Sequence, residues 1–89
     1  MSVPFALADV RKVVFFKRDE LTTDLICCDV EVNSADGTKT WFNHEEEVSW
    51  QEWLEVLGTL PGFDSDWHSK VYLPPFDPGV TVAYERPIA

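Results

Sequence analysis

Residues 49–62, SWQEWLEVLGTLPG, decide the fold of this chain, because they carry the pattern of one amphipathic helix. Glu52 and Glu55 fall outside the apolar positions, which recur at intervals of three and four and therefore share one side of a helix. These apolar positions are Trp50, Trp53, Leu54, Leu57 and Leu60. The pattern predicts a helix over 50–60 whose apolar stripe lies on a sheet.

The start and the end of this helix are marked by local signals. Glu52 follows Ser49 at the spacing of a capping box, in which the serine hydroxyl accepts a hydrogen bond from the backbone N–H of Glu52. Val48 and Trp53 occupy the two positions of a hydrophobic staple. Pro61-Gly62 predicts the end of the helix, because proline cannot continue the hydrogen-bond ladder and glycine readily turns the chain away.

The segment just before the helix, HEEE at 44–47, admits two interpretations. It could hold a metal or serve catalysis, but His44 has no second histidine at i+4 and no cysteine at metal-finger spacing. Carboxylates just ahead of a helix N-terminus are stabilised by the macrodipole by about 0.3 to 1 kcal/mol each. We therefore interpret Glu45, Glu46 and Glu47 as the acidic entrance of the helix and a solvated surface.

Three strand-like segments precede the helix, at 10–17, 25–32 and 38–43, and they predict an antiparallel meander. VRKVVFFK at 10–17 carries apolar residues on both faces, which indicates a central strand or one whose second face is covered. Segment 25–32 alternates, with Ile26, Cys28, Val30 and Val32 on its apolar side. Asp36-Gly37 predicts a tight turn or a bulged hairpin loop before the third strand.

The segments after the helix predict a second, smaller set of elements. The residues after Phe63 suit either a short helix, with Trp67 and Val71 on one side, or an extended piece over 69–73; we expect a short helical turn followed by an extended arm. LPPFDPG at 73–79 matches the PxxP ligands of aromatic grooves in composition, but we expect an ordered arm with Phe76 tucked into the fold. VTVAYE at 80–85 alternates and predicts a closing strand.

These elements predict one domain over 1–89 of the α+β class. It has a small antiparallel sheet in the order β-β-β-α-β, with one main amphipathic helix packed on one face. The predicted core is Val14, Phe16, Ile26, Cys28, Val30, Trp50, Trp53, Leu54, Leu57, Val82 and Tyr84.

Composition limits the classes of function. Sixteen acidic residues against seven basic ones give a net charge of −9, a field that repels nucleic-acid phosphates and attracts a basic protein. The N-terminus lacks a signal-peptide pattern and no segment approaches the roughly 20 apolar residues of a membrane span, so we expect a cytoplasmic protein without membrane contact. The adjacent Cys27 and Cys28 are expected to be reduced, because neighbours on a strand point to opposite faces.

The first functional hypothesis is a non-enzymatic protein-binding module without a cofactor. Its motivation is charge asymmetry, because Arg11, Lys12, Lys17, Arg18 and Lys39 gather most of the positive charge in the meander and leave the helical half acidic. An unidentified protein partner, for which a basic one suits the charge, would meet the acidic helical half or an exposed Trp41 on the outer sheet face. The expected partner surface is Trp41, Glu45, Glu46, Glu47, Glu52 and Glu55. Self-association is left open.

The alternative hypothesis is a small thiol- or metal-dependent hydrolase that uses Cys27, His44 and His68. A reactive thiolate needs a depressed pKa, whereas Asp29 and Glu31 on the same strand are expected to raise it. Asp64, Asp66 and Asp77 could chelate calcium only if folded together, and they lack the pattern of an EF-hand loop.

Two segments, DELTTDLICCDV at 19–30 and PPFDPGVTVAYERP at 74–87, resemble in sequence the small stand-alone proteins of bacteria. This resemblance carries no site residue over to the chain.

Overall fold

The computed structural model describes residues 3–19, 23–72 and 79–87. A 3-10 turn over Leu7–Asp9 leads into strands β1 (Val10–Asp19), β2 (Asp24–Ser34) and β3 (Gly37–His44). Helices α1 (Trp50–Leu57) and α2 (Trp67–Tyr72) follow, and strand β4 (Thr81–Glu85) comes last. The strands form one antiparallel four-stranded sheet in the order β3-β2-β1-β4. The α+β class is confirmed, and a second helix joins the one that was predicted as the main helix.

The predicted meander and its turn are present. Ser34 pairs directly with Gly37, so a two-residue turn joins β2 to β3. Gly37 has a φ of 122°, a conformation that glycine adopts without the steric cost that a Cβ would bring. The Asp36-Gly37 prediction is therefore confirmed.

Strand β1 is central, as its apolar residues on both faces predicted, but its core face was assigned wrongly. Phe15 is 0% exposed and faces the helices together with Val13. Val14 and Phe16, which were predicted to be core residues, lie half-buried on the other face. In a VVFF segment both alternating sets are equally apolar, so periodicity cannot say which set lies under the helices.

Strand β4 contains a bulge that overturns a second core assignment. Tyr84 lies opposite Val13 and Val82 lies opposite Val14, so Ala83 is an extra residue between them. Ala83 and Tyr84 are both buried, whereas Val82 is 44% exposed. Val82 is therefore not a core residue, because the extra residue breaks the alternation on which its assignment rested.

The apolar stripe of α1 is confirmed, although the helix ends at Leu57 rather than at residue 60. Trp53 and Leu57 are buried, and Trp50 and Leu54 pack against the core. The last turn tightens, because the N–H of Thr59 bonds the carbonyl of Val56 rather than continuing the α-helical ladder.

The predicted capping interactions of α1 are wrong. Ser49 makes no side-chain cap bond; its Oγ accepts a hydrogen bond of 3.2 Å from Nδ2 of Asn43. Asn43 is buried and needs a partner for its amide, which explains why the serine hydroxyl is taken from the helix N-terminus. Val48 is fully exposed and forms no staple, and Trp53 instead meets the ring of Phe5 edge-on at 5.1 Å.

The core lies between one sheet face, called here the inner face, and the layer formed by α1, α2 and the N-terminal segment. At its centre the rings of Phe15 and Trp67 stack at 3.7 Å. The short-helix alternative for 64–72 is confirmed, since α2 buries Trp67 and Val71. The predicted arm, with Phe76 and Asp77, falls almost entirely outside the described residues. The buried cluster consists of Val10, Val13, Phe15, Ile26, Cys28, Val30, Val32, Trp53, Leu57, Leu60, Trp67, Val71, Ala83 and Tyr84.

Candidate functional site

Strand β3 lies at the edge of the sheet, and its outer backbone groups have no partner among the described residues. Gly37 pairs with Ser34 across the turn, and the N–H of Glu45 bonds the carbonyl of Ile26 at 3.0 Å. Because hydrogen-bonded pairs alternate in an antiparallel ladder, the odd-numbered residues of β3 bond β2 and the even-numbered ones point away from it. Within residues 3–19, 23–72 and 79–87, no group bonds the outward backbone of residues 38, 40 and 42.

The opposite edge of the sheet is partly covered. The backbone N–H of Asp64, in the connection between α1 and α2, donates to the carbonyl of Ala83 in β4 at 2.8 Å. β3 is therefore the more open of the two edges, and it offers a template for pairing with another extended chain.

A cleft of about 250 Å³ lies at the end of this free edge, where β3 meets the start of α1. Its walls come from three parts of the chain: the end of β3, the acidic entrance segment and α1 itself. They are Phe42, Asn43, His44, Glu47, Ser49 and Trp53.

Asn43 positions the inner end of the cleft. Its side chain is on the inner face and the residue is 4% exposed. Nδ2 donates to Ser49 as described, and Oδ1 accepts from the backbone N–H of His44 at 2.9 Å. This last bond satisfies the final outward N–H of β3, so the free edge extends from Thr38 to Phe42.

His44 is held at both ring nitrogens. Its Nδ1 accepts a hydrogen bond of 3.3 Å from the backbone N–H of Glu46, and its Nε2 lies 3.4 Å from Oε1 of Glu47. Neighbouring residues therefore lie against both ring nitrogens of His44.

The three entrance glutamates have different surroundings. Glu45 accepts the backbone N–H of Ile26 at 3.0 Å and so closes the end of β2. Glu46 is exposed, and the side chain of Glu47 is 54% exposed at the mouth of the cleft. Within α1, Glu55 is exposed and Glu52 is half-buried.

Trp41 does not lie on the outer sheet face, where it was expected. It pairs with Val30, so its side chain shares the inner face and packs against the core. Nζ of Lys39 lies 4.2 Å from the centre of its ring, a cation–π contact. The sequence expectation failed because the face of β3 depends on its register with β2, and the short polar run of β3 does not reveal that register.

The outer sheet face carries an aromatic patch that sequence reasoning missed. The rings of Phe16 and Phe42 lie 6.4 Å apart across β2, and the guanidinium of Arg18 lies 5.8 Å from the centre of Phe42. Phe42 is 47% exposed. The sequence signal for this patch was that both faces of the VVFF segment are apolar. Only one of these faces could lie under the helices, so the other had to lie on the outer sheet face.

The structure brings together two of the three residues of the hydrolase hypothesis. Cys27 and His44 are directly opposite each other on the outer face. Cys27 is nevertheless buried, and its thiol lies 3.5 Å from the carbonyl of Leu25. His68 lies on α2, which packs on the inner face, and its ring stacks on Tyr72 at 5.3 Å. The sheet therefore separates His68 from the other two residues.

Cys28 lies in the core, where its surroundings keep the thiol protonated and therefore poorly reactive. Burial raises the pKa of its thiol far above the usual value, and the neighbouring charges of Asp29 and Cys27 add to this shift. The rise expected from sequence is present, but burial rather than the acidic neighbours is its largest cause.

Of the acidic residues proposed as calcium ligands, Asp64 is engaged with the protein, and Asp77 lies outside the described residues. Asp64 accepts the backbone N–H of Asp66 at 2.9 Å and pairs with Lys70. These contacts lower the pKa of the Asp64 carboxyl, chiefly through the hydrogen bond from Lys70. Within the described ranges no group of three or more His, Cys, Asp or Glu side chains is placed to hold a metal ion.

Comparisons with protein-family models, with curated proteins and with solved structures found no match. In the part of the chain that the structure describes, no helix has the length and apolar character to cross a bilayer. The geometry of β3 and its cleft is therefore the basis for assigning a function.

Proposed function

We propose that this chain is a non-enzymatic protein-binding module that meets its partner at the free edge of β3 and in the adjoining cleft. The observation that carries the proposal is an open strand edge, from Thr38 to Phe42, that ends in a cleft with two aromatic walls and a carboxylate at its mouth. Backbone groups at such an edge provide binding energy, and a neighbouring side-chain pocket provides selectivity.

The exposed apolar surface supports the same assignment. Phe42 reaches both the edge and the outer sheet face, where its ring lies near Phe16. Aromatic side chains that are partly exposed and clustered with an Arg are typical of protein interfaces. The net charge of −9 favours a basic partner through long-range attraction. Cys28 is a buried free thiol, which suits a reducing compartment, so the proposal includes a cytoplasmic location.

Affinity capture with two matched variants tests this proposal. Phe42→Asp places a charge at the edge and the patch, and Val80→Asp places the same charge at another exposed apolar residue outside the patch. At low salt we expect the parent and Val80→Asp to retain the same partner and Phe42→Asp to lose it. Retention should fall as salt is raised, because exposed charges are screened. Equal retention by both variants, or none by the parent, contradicts the proposal.

The hydrolase remains a second candidate because Cys27 and His44 are opposite each other on neighbouring strands. Thiol labelling at neutral pH separates it from the binding module. A nucleophilic Cys27 reacts rapidly in the native protein, whereas the buried thiol of a binding module reacts only after denaturation. Metal analysis of the purified protein tests the metal-dependent form of this candidate.

A further inference from the structure

We propose that the partner binds as an extended segment that adds a fifth strand along β3 and inserts one Lys or Arg side chain into the cleft beside Glu47. This inference rests on the proposed function and names the chemistry of the partner at the same site.

The backbone of β3 is suited to strand addition. Its outward groups belong to Thr38, Thr40 and Phe42, which are spaced two residues apart, the repeat at which a neighbouring strand presents its own groups. The side chains of this stretch are neutral except for Lys39, which is held over the ring of Trp41. An incoming strand therefore meets unpaired backbone without a row of like charges that would repel it.

The alternation of side chains decides what enters the cleft. A partner residue opposite Phe42 shares its face and points to the outer side of the sheet. The next partner residue, opposite Asn43, points to the inner side, where Trp53 of α1 forms the far wall of the cleft. The inner-facing partner residue two positions away lies beside Trp41. The expected partner motif is therefore an apolar residue and a basic residue separated by one position.

The walls of the cleft select a long basic side chain. The ring of Trp53 offers apolar surface for an alkyl stem, and a cation beside such a ring gains further attraction. The carboxylate of Glu47 is half-exposed at the mouth of the cleft. An acidic side chain would meet repulsion from this carboxylate, and a short one would leave the cavity of about 250 Å³ unfilled.

A synthetic peptide provides the direct test. The probe is Thr-Val-Thr-Val-Thr-Lys-Thr with blocked ends, in which valine and lysine share one face of the strand and threonine occupies the other. Binding is followed by the fluorescence of the tryptophans near the site and by calorimetry. Replacing the lysine of the peptide with glutamate should weaken binding about tenfold or more, the usual effect of losing a charge-assisted hydrogen bond. N-methylation of the peptide amides that face β3 should abolish binding.

Three variants of the protein test the same contacts from the other side. Thr40→Pro removes an outward N–H that the ladder with β2 does not use, so an edge strand tolerates it. Glu47→Gln removes the charge in the cleft, and Glu46→Gln is its matched control outside the lining. We expect Thr40→Pro and Glu47→Gln to lose most of the affinity for the lysine peptide and Glu46→Gln to keep it. If Thr40→Pro unfolds, the N-methylated peptide tests the edge without changing the protein.

Three results would overturn the inference: equal binding of the lysine and glutamate peptides, equal loss in Glu46→Gln and Glu47→Gln, or full binding by Thr40→Pro. A parent protein that is dimeric, with a monomeric Thr40→Pro variant, would instead show that a second copy occupies the edge. If the captured partner is lost by Phe42→Asp but kept by Thr40→Pro, the binding module stands and strand addition fails. If neither variant affects capture, both proposals fail.

Discussion

Replacing Phe15 with alanine, with Phe16→Ala as its matched control, tests which face of β1 supports the core. Phe15 is fully buried and stacks on Trp67 at 3.7 Å, with Trp50 and Phe63 edge-on at 6.1 and 6.3 Å. Burying a ring of about 150 to 250 Å² at about 25 cal/mol per Å² contributes at most about 4 to 6 kcal/mol. Core Phe→Ala substitutions cost about 3 to 5 kcal/mol, and we expect that loss here.

Phe16→Ala should cost much less. The residue is half-buried on the outer face, so about half of the roughly 1.5 to 3 kcal/mol gained by fully burying a Phe side chain, or about 1 kcal/mol, is at stake. A domain of this size has a free energy of unfolding of about 4 to 13 kcal/mol, so the Phe15 variant should lose a large share of its stability and the Phe16 variant should stay well folded.

Urea denaturation followed by tryptophan fluorescence and far-UV circular dichroism measures both losses. With a slope of about 1 to 3 kcal/mol per M, the same for both variants, Phe15→Ala should lower the midpoint by about 1 to 5 M and Phe16→Ala by about 0.3 to 1 M. Phe15→Leu provides a milder variant that stays folded. Equal midpoints for the two alanine variants, or a larger loss at Phe16, would refute the assignment of the inner face.

Three further predictions concern single side chains. Trp53→Ala should lower the free energy of unfolding by about 3 to 5 kcal/mol. Val48→Ala, at a fully exposed position, should change it by less than about 0.5 kcal/mol. A large effect at Val48 would indicate that Val48 does pack on Trp53 as a hydrophobic staple. Gly79→Ala should cost about 2 to 4 kcal/mol in chemical denaturation, because Gly79 has a φ of +58° and its added Cβ would lie 2.5 Å from the carbonyl oxygen of Val71. Burial raises the pKa of the Asp29 carboxyl from its usual value of 3.8, so the native protein loses stability as the pH rises from the usual pKa through the raised one. Asp29→Asn should therefore raise the melting temperature at pH 7. This gain should vanish at a pH below the usual pKa, where the Asp29 carboxyl is protonated in both the native and the unfolded protein.

The candidate site was only partly predictable from sequence. The HEEE run gave Glu47 as part of the helix entrance and the partner surface, and His44 as a residue of the hydrolase alternative. The approach of His44 Nε2 to Glu47 Oε1 at 3.4 Å and the cleft beside them depend on how β3 meets α1. Phe42 was not identified, because Trp41 and Phe42 are neighbours in a polar strand and only the register with β2 decides which of them lies on the outer face. Cys27 and His44 are 17 positions apart in the sequence, and only the register of β2 with β3 shows that they are opposite each other.

The sequence by itself determined the local elements of this protein. Periodicity placed the stripe of α1, and Asp36-Gly37 placed the β2–β3 turn, because both signals arise from neighbouring residues and their backbone preferences. Tertiary structure alone decided which face of β1 enters the core, how Ala83 bulges in β4 and which partner Ser49 binds. Each of these depends on a contact between distant segments. The helices pack on one of two equally apolar faces of VVFF, and the pairing of β4 with β1 includes one extra residue. The buried amide of Asn43 donates to the hydroxyl that local capping rules had assigned to the helix.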